Sequence, residues 1–383
     1  MEEQVTASIE AHFGDLEDPR VERTKLHQLI DILVIAISAA ICGADTWEDV
    51  EMFGKAKQEW FKRFLAIPNG IPSHDTFNRV FNRLDPEQFR QCFISWIKAA
   101  SERFGGQVIA VDGKTLRRSH DRGVGKAAIE MVSAWASANR LVLGQVKVDE
   151  KSNEITAIPE LLQMLEISGC IVTTDALGCQ TEIAETIVDQ EADYVLALKE
   201  NQGRLYEDVQ LLFDDLEASD YQAYAYDYHK TVNKGHGRIE IRECWTISDR
   251  QVLQHLRGFE NWKKLQTVPR IRSQRWVGEE KSADDRYHIA SIPGAKKVLW
   301  AVRSHWTIEN ELHWSLDIAF DEDRYRVRKE NGAENFAILR HIALNLLKQE
   351  KSCDRSIKGK RLLAGWQDDY LLKVLSGFPN LSV

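Results

Sequence analysis

Residues 108–112, Val-Ile-Ala-Val-Asp, and residues 171–175, Ile-Val-Thr-Thr-Asp, decide how this chain is read. In each, four residues suited to a buried strand run straight into a carboxylate. Open α/β sheets collect their ligands beyond the carboxyl ends of the strands, so Asp112 and Asp175 stand where chemistry is done. Taken singly, either is equally an aspartate that closes a strand in a turn. Side by side on neighbouring strands, the two would repel each other unless a divalent cation neutralised them. Mg²⁺ (or Mn²⁺), which prefers oxygen ligands, meets that need.

Outward from these segments the texture predicts strand, strand, strand, helix, strand, helix, strand. A strand over 107–111 is followed by strands at 129–137 and 141–148, joined as a hairpin through Ala138-Asn139-Arg140. Helices over 159–165 and 181–190 lead to strands at 170–174 and 194–198. That order gives a mixed sheet with helices on its faces, an α/β fold. Alternation such as Arg238-Ile239-Glu240-Ile241-Arg242 then marks a β-rich block, about 219–299, read as an inserted subdomain. Helices resume at 301–320, 333–350 and 356–375.

Ahead of Gly105-Gly106 everything is helical, with segments at 46–65, 73–84 and 86–100 after the apolar run 32–44. The division expected is an N-terminal helical domain (1–104), a catalytic domain (105–350) and a C-terminal helical tail (351–383). In the segment 73–84, Ser73 is a cap candidate and His74, Asp75, Asn78, Arg79, Asn82 and Arg83 face outward. It is either the second helix of a helix-turn-helix or an ordinary surface helix.

A third carboxylate is expected on the helix that returns after the β block. His305, Glu309 and His313 are spaced i, i+4, i+8 and share one face. A His-Glu-His zinc site is the weaker reading, because the His-Glu-x-x-His order of helical zinc sites is missing. Three carboxylates around two Mg²⁺ about 3.5–4 Å apart suit in-line attack on a phosphodiester. Other motifs fail: Val108 stands where a P-loop ending in Gly113-Lys114-Thr115 needs glycine, and Lys114 occupies the second acid of a D-x-D phosphatase.

The chain has 383 residues, 43 % hydrophobic and 28 % charged, with a net charge of −9. That composition excludes disordered, collagenous and disulfide-framework classes, and the length suits two or three domains. The six cysteines show no metal spacing and read as free buried thiols. The run 32–44 is shorter than the about 20 residues a membrane span needs, and the first residues carry no secretory pattern, so a cytoplasmic protein without a membrane partner is expected. An acidic total argues against nucleic acid, but its distribution does not. Residues 1–19 and 204–220 are strongly acidic, whereas basic residues gather elsewhere. They form clusters at Lys114, Arg117, Arg118, Arg122 and Lys126, along the hairpin His229, Lys230, Lys234, His236, Arg238 and Arg242, and over 323–361.

Five motifs in this order, Val111-Asp112-Gly113-Lys114-Thr115, Thr173-Thr174-Asp175-Ala176, residues 197–202 (Ala-Leu-Lys-Glu-Asn-Gln), residues 305–310 (His-Trp-Thr-Ile-Glu-Asn) and residues 335–340 (Asn-Phe-Ala-Ile-Leu-Arg), resemble the DDE transposases of bacterial insertion sequences. The branch is that of the H-repeat-associated proteins found with Rhs elements, and the similarity runs through nearly the whole chain. It implies a ribonuclease-H-like core and a catalytic, metal-binding triad of Asp112, Asp175 and Glu309 using Mg²⁺ (or Mn²⁺). It also implies double-stranded DNA, as terminal inverted repeats and target, for a partner, and a homodimer on that DNA. Many relatives carry Y-x2-R-x3-E-x6-K around the glutamate; here Val302, His305 and Leu316 fill the other three places. Arg303, His305 and His313 are the substitutes expected to hold phosphate, with Lys114, Arg117, Arg118, Lys199, Asn201, His236 and Arg238 as further DNA contacts. Rival readings are a structure-selective nuclease on the same core and a degenerate relative that only binds DNA.

Overall fold

The computed structural model describes residues 9–100, 106–120, 127–149, 152–235 and 237–377. The main helices before the first strand are α1 (Leu29–Cys42), α2 (Trp47–Ala56), α3 (His74–Arg83) and α4 (Pro86–Ala100). Local chemistry sets their ends. Gly43, at φ 107°, closes α1 in the left-handed conformation. Thr46 and Asp49 form a reciprocal capping box on α2, and the Ser73 hydroxyl accepts from the Thr76 N–H at the start of α3. The inner face of α3 carries Phe77, Val80 and Phe81 as the spacing requires; Asn82, expected outside, is buried as well, its amide donating to Asn78.

β1 (Val108–Leu116), β2 (Ile129–Ala136) and β3 (Leu141–Lys147) form an antiparallel meander. α5 (Glu154–Met164) crosses to β4 (Ile171–Thr174), and α6 (Thr181–Asp189) to β5 (Asp193–Leu198); both strands run in the direction of β1. α5 starts earlier than its sequence suggested, capped by Asn153, with Pro159 accommodated inside. After α7 (Gly203–Ala218), which the sequence reading did not anticipate, come β6 (Asp227–Gly235), β7 (Arg238–Ile247), β8 (Val268–Val277) and β9 (Glu280–Ala290). These four strands continue the same sheet, because β9 pairs antiparallel with β5. The result is one nine-stranded sheet in the order β3-β2-β1-β4-β5-β9-β8-β7-β6.

The last helices are α8 (Ala295–Thr307), a wide π turn over Ile308–His313, α9 (Trp314–Ala319), α10 (Gly332–Gln349), α11 (Ile357–Trp366) and α12 (Asp368–Leu375). The helix expected over 356–375 is broken at Gln367, whose backbone is extended. α10 is buried around almost its whole circumference, as is α1. The two pack together, and one hydrophobic core runs from Phe13 and Val34 through Phe81 and Val111 to Leu344 and Leu371. Cys170, Cys179 and Cys244 are buried free thiols, and Cys42, Cys92 and Cys353 are partly so. Among the described residues no single helix is long and apolar enough to cross a membrane.

β3 is an edge strand, yet its open side is closed by a side chain. The buried Asn345 amide accepts from the Val142 N–H and donates to the Val142 carbonyl, both at 2.9 Å, as a tenth strand would. An unpaired buried backbone group costs about 1–3 kcal/mol. Asn345→Ala is therefore expected to lower unfolding stability by about 2–4 kcal/mol in a urea titration, and wild-type stability in that variant would show the edge to be hydrated.

Candidate active site

Pleating decides where the two aspartates point. Val108, Ala110 and Asp112 lie on one face of β1, and Ile171 and Thr173 on the same face of β4, with Asp175 next. In the parallel register Val111 faces Thr174, so Asp112 and Asp175 come side by side. Asp112 does not end its strand, as the sequence had suggested. β1 continues to Leu116 because β2 goes on supplying partners, Ser133 for Asp112 and Val132, Met131, Glu130 and Ile129 beyond. Only β4 stops, and Asp175 turns out of it with Oδ1 accepting from the Gly178 N–H at 3.2 Å.

Glu309 arrives from the other layer, on the π turn. The Thr307 hydroxyl accepts from the Trp135 indole N–H at 3.0 Å and donates to the Ser304 carbonyl, and the Asn310 amide takes the Trp306 carbonyl. Side chains that compete for helix carbonyls in this way widen a helix locally, and such turns recur at functional sites. Ile308 and Leu312 stay fully buried while Glu309 opens onto a cavity of about 550 Å³. Asp112, Asp175, Lys199, Arg286, His288, His305 and Trp306 line the same cavity.

Burial raises the Asp112 carboxyl to about 7, helped by the charges of Asp175 and Glu309. Burial also raises Glu309, with Asp175 adding to the shift and the Arg286 guanidinium opposing it. The three carboxylates are thus close enough to feel one another. Among the described residues no three Asp, Glu, His or Cys side chains are drawn tightly enough to enclose an ion. The donor set nonetheless fits a hard cation, because it is all oxygen and its members disfavour one another's charge.

The two histidines of the expected stripe turn inward. His305 Nδ1 lies 3.0 Å from the Thr173 hydroxyl, and burial lowers its pKa to about 4. His313 Nδ1 stands 3.7 Å from Asp112 Oδ2, and burial with the nearby Lys114 charge lowers its pKa to about 4 as well. Both imidazoles are neutral at pH 7, so neither supplies the positive charge expected of it as a phosphate-holding substitute. Lys114 is also turned inward: its ammonium lies 2.5 Å from Asp317 and 2.6 Å from Glu322. Glu322 is 4 % exposed and is backed by Arg340 at 3.7 Å.

The remaining basic positions are placed as follows. Lys199 is exposed at the cavity, and the Asn201 amide donates to the Ala176 carbonyl at 2.6 Å, bracing the loop of Asp175. Arg117, Arg118, Arg238 and Arg303 are exposed; Arg117 faces Asp323 at 3.4 Å and Arg238 faces Glu240 at 3.2 Å. His236, Arg122 and Lys126 lie outside the described residues.

Sequence reasoning missed Arg286, His288 and Glu154. The first two sit in an alternating strand whose faces only the sheet register distinguishes. Glu154 packs on the bare α-carbon of Gly113, where a Cβ would overlap its carboxylate. Burial, a hydrogen bond to Glu130 and the charges of Asp175 and Asp112 raise it to about 8.

A mixed sheet presenting paired aspartates to a helical glutamate defines a DDE-type site, and the chain belongs to that family of transposases. Residues 103–346 match the family described as "Transposase DDE domain", and residues 10–97 match "DDE_Tnp_1-associated". "H repeat-associated putative transposase YhhI" of Escherichia coli (strain K12) is 40 % identical over 373 residues, which is 96 % of this chain and 97 % of that protein. "Putative transposase YncI" of Escherichia coli O157:H7 is 41 % identical over 371 residues, 96 % and 94 % of the two chains.

Two outcomes follow from the site. An acid whose pKa folding raises takes up protons on folding, so its penalty grows as pH climbs from about 4 through about 7. Asp112→Asn should therefore stabilise the metal-free protein near pH 8, by up to about 4 kcal/mol, and leave it little changed near pH 4; urea unfolding in EDTA reads both. Lys114→Met leaves Glu322 buried with its ammonium partner gone and should cost about 3–5 kcal/mol in the same measurement; a loss below about 1 kcal/mol would contradict the burial described.

Proposed function

We propose that this transposase hydrolyses phosphodiester bonds at the ends of an insertion-sequence-like element and joins the freed 3′-hydroxyl to target DNA, with Asp112, Asp175 and Glu309 as the catalytic triad. The observation that carries this is the register Val111 to Thr174, which sets two carboxylates side by side beneath a third. In this reading β3-β2-β1-β4-β5 is a ribonuclease-H-like core and β6–β9 its inserted β subdomain, with residues 1–104 as the helical end-binding part and 351–383 as a C-terminal helical tail. Asp112 and Asp175, with Glu309 completing the set, would hold Mg²⁺ or Mn²⁺, which would supply activation of a water or 3′-hydroxyl and charge stabilisation at the leaving oxygen.

The chain's own residues do the rest. Asp112, whose carboxyl is raised to about 7, would give up its proton to a bound cation, so metal affinity would rise with pH. His305, one turn before Glu309 on the same helical run, meets the Thr173 hydroxyl and ties that helix to β4. Lys199 and Arg303, exposed beside the cavity, are the phosphate contacts, together with Arg117, Arg118 and Arg238 on the surrounding surface. Lys114, His305 and His313 are given structural roles on the strength of their inward contacts. The protein acts in the cytoplasm, as a dimer on paired ends.

Asp112→Asn, Asp175→Asn and Glu309→Gln should each abolish Mn²⁺- or Mg²⁺-dependent nicking of supercoiled plasmid while retaining binding to a labelled duplex. Wild-type nicking in all three would remove the triad. Nicked product with no joined strand, on DNA carrying the element's ends, would leave the nuclease reading instead.

A further inference from the structure

The catalytic helix lacks the arginine that relatives place one turn before the glutamate: His305 stands there, buried and hydrogen-bonded to Thr173. A guanidinium nevertheless reaches the same place from the sheet. Arg286, on β9, lines the catalytic cavity, and its Cζ lies 5.0 Å from the ring centroid of Trp306, three residues before Glu309. Its Nε donates to Asp284 at 2.6 Å, which leaves the terminal nitrogens without an ion-pair partner among the described residues.

Arg286 is also the start of a series. In the antiparallel register Ile271 faces Arg286 and Cys244, and Ser273 faces Asp284 and Arg242, so these residues share one face of β9, β8 and β7. Continuing outward on that face, Arg275 faces Ser282 and Glu240. Arg242, Arg275 and Arg286 line a second depression, of about 200 Å³, which shares Asp284 and Arg286 with the catalytic cavity. The two hollows meet at Arg286.

The charge in this groove exceeds what the protein neutralises. Arg242 reaches Glu240 at 3.0 Å, but its Nη1 is buried with no hydrogen-bond partner. Arg275 and Arg303 have no ion pair among the described residues, and the positive charge of Arg242 bears on Arg303. Guanidinium groups gathered with donors to spare select a polyanion of spaced oxygens, which a phosphodiester backbone is.

We infer that Arg286, Arg242 and Arg275 form a backbone track that holds the DNA strand entering the catalytic cavity, with Arg286 gripping the phosphate beside the scissile bond from the sheet side. The inference rests on the proposed DNA-cleaving function, and the track is absent from the helix because it is supplied by β9, β8 and β7. The strand lies in the groove with its phosphates toward the arginines.

Fluorescence anisotropy with a fluorescein-labelled 30-bp duplex, titrated with salt, and Mn²⁺-dependent nicking of supercoiled plasmid test this on the full chain. Each lost phosphate contact flattens the slope of log K against log salt by about 0.9. Arg286→Gln and Arg275→Gln should each flatten it by about one, and Arg286→Gln should also slow nicking about tenfold or more, with Arg286→Lys recovering part of the rate. Arg275 has no ion pair among the described residues but its charge bears on Glu240, so urea unfolding of each variant, expected unchanged, separates a lost contact from misfolding. Unchanged slopes in both glutamine variants would overturn the track. Asp112→Asn, run beside them, judges the other reading: if it still nicks, the catalytic assignment falls, while the slopes continue to decide the fate of the arginines.

Discussion

Two like charges on adjacent parallel strands are the constraint around which this molecule is built. Their repulsion costs stability, adding to burial in raising the Asp112 carboxyl, and the sheet offers no way to part them, because Val111 and Thr174 are held in register. The surrounding structure absorbs that cost without removing it. Asp175 gives one oxygen to the Gly178 N–H, and Asp112 shifts toward its neutral form. Neighbouring imidazoles are kept uncharged, and the Lys114 ammonium, two residues from Asp112, is bound to Asp317 and Glu322 instead of to the aspartates. A site held in this state keeps its acidic oxygens together, with Arg286 the cation that bears on Glu309.

Much of this was legible in the amino-acid order. The strand-helix alternation gave the sheet and its mixed sense, since short β-branched runs and turn residues are local signals. Asp112, Asp175 and Glu309 could be picked out because each stands at a distinctive local position. The continuation of β1 past Asp112 was not legible, because Gly113-Lys114-Thr115 is poor strand sequence and is held extended by β2. The π turn left no mark either: His305, Glu309 and His313 have α-helical spacing, and the Thr307 hydroxyl at its start is met by Trp135, far away in sequence. Side-chain destinations were the least readable. Lys114 looked like a surface base in a basic run, and only the arrival of Asp317 and Glu322 makes it an internal strut.

The β-rich block shows the same limit in another form. Its alternation was visible, but alternation alone does not say which face meets the site or whether the strands form a layer of their own. Pairing between β9 and β5 settles both at once. It puts Arg286, an unremarkable residue in Asp-Asp-Arg-Tyr-His, over the helix of Glu309. The net acidity of the chain is set by segments such as α7, on which Glu207, Asp208, Asp214 and Asp215 gather, while the face beside the cavity is rich in arginine.

Because β9, β8 and β7 belong to the same sheet as β1 and β4, the arm has no hinge between it and the aspartates. Strands are spaced about 4.8 Å apart, so β9 lies about 14 Å from β1 and β7 about 24 Å. Those intervals are fixed by backbone hydrogen bonds, not by side-chain reach. The sheet is therefore a ruler, and a strand of nucleic acid gripped at any mark along it, as proposed, would meet the carboxylates at a set distance from the grip.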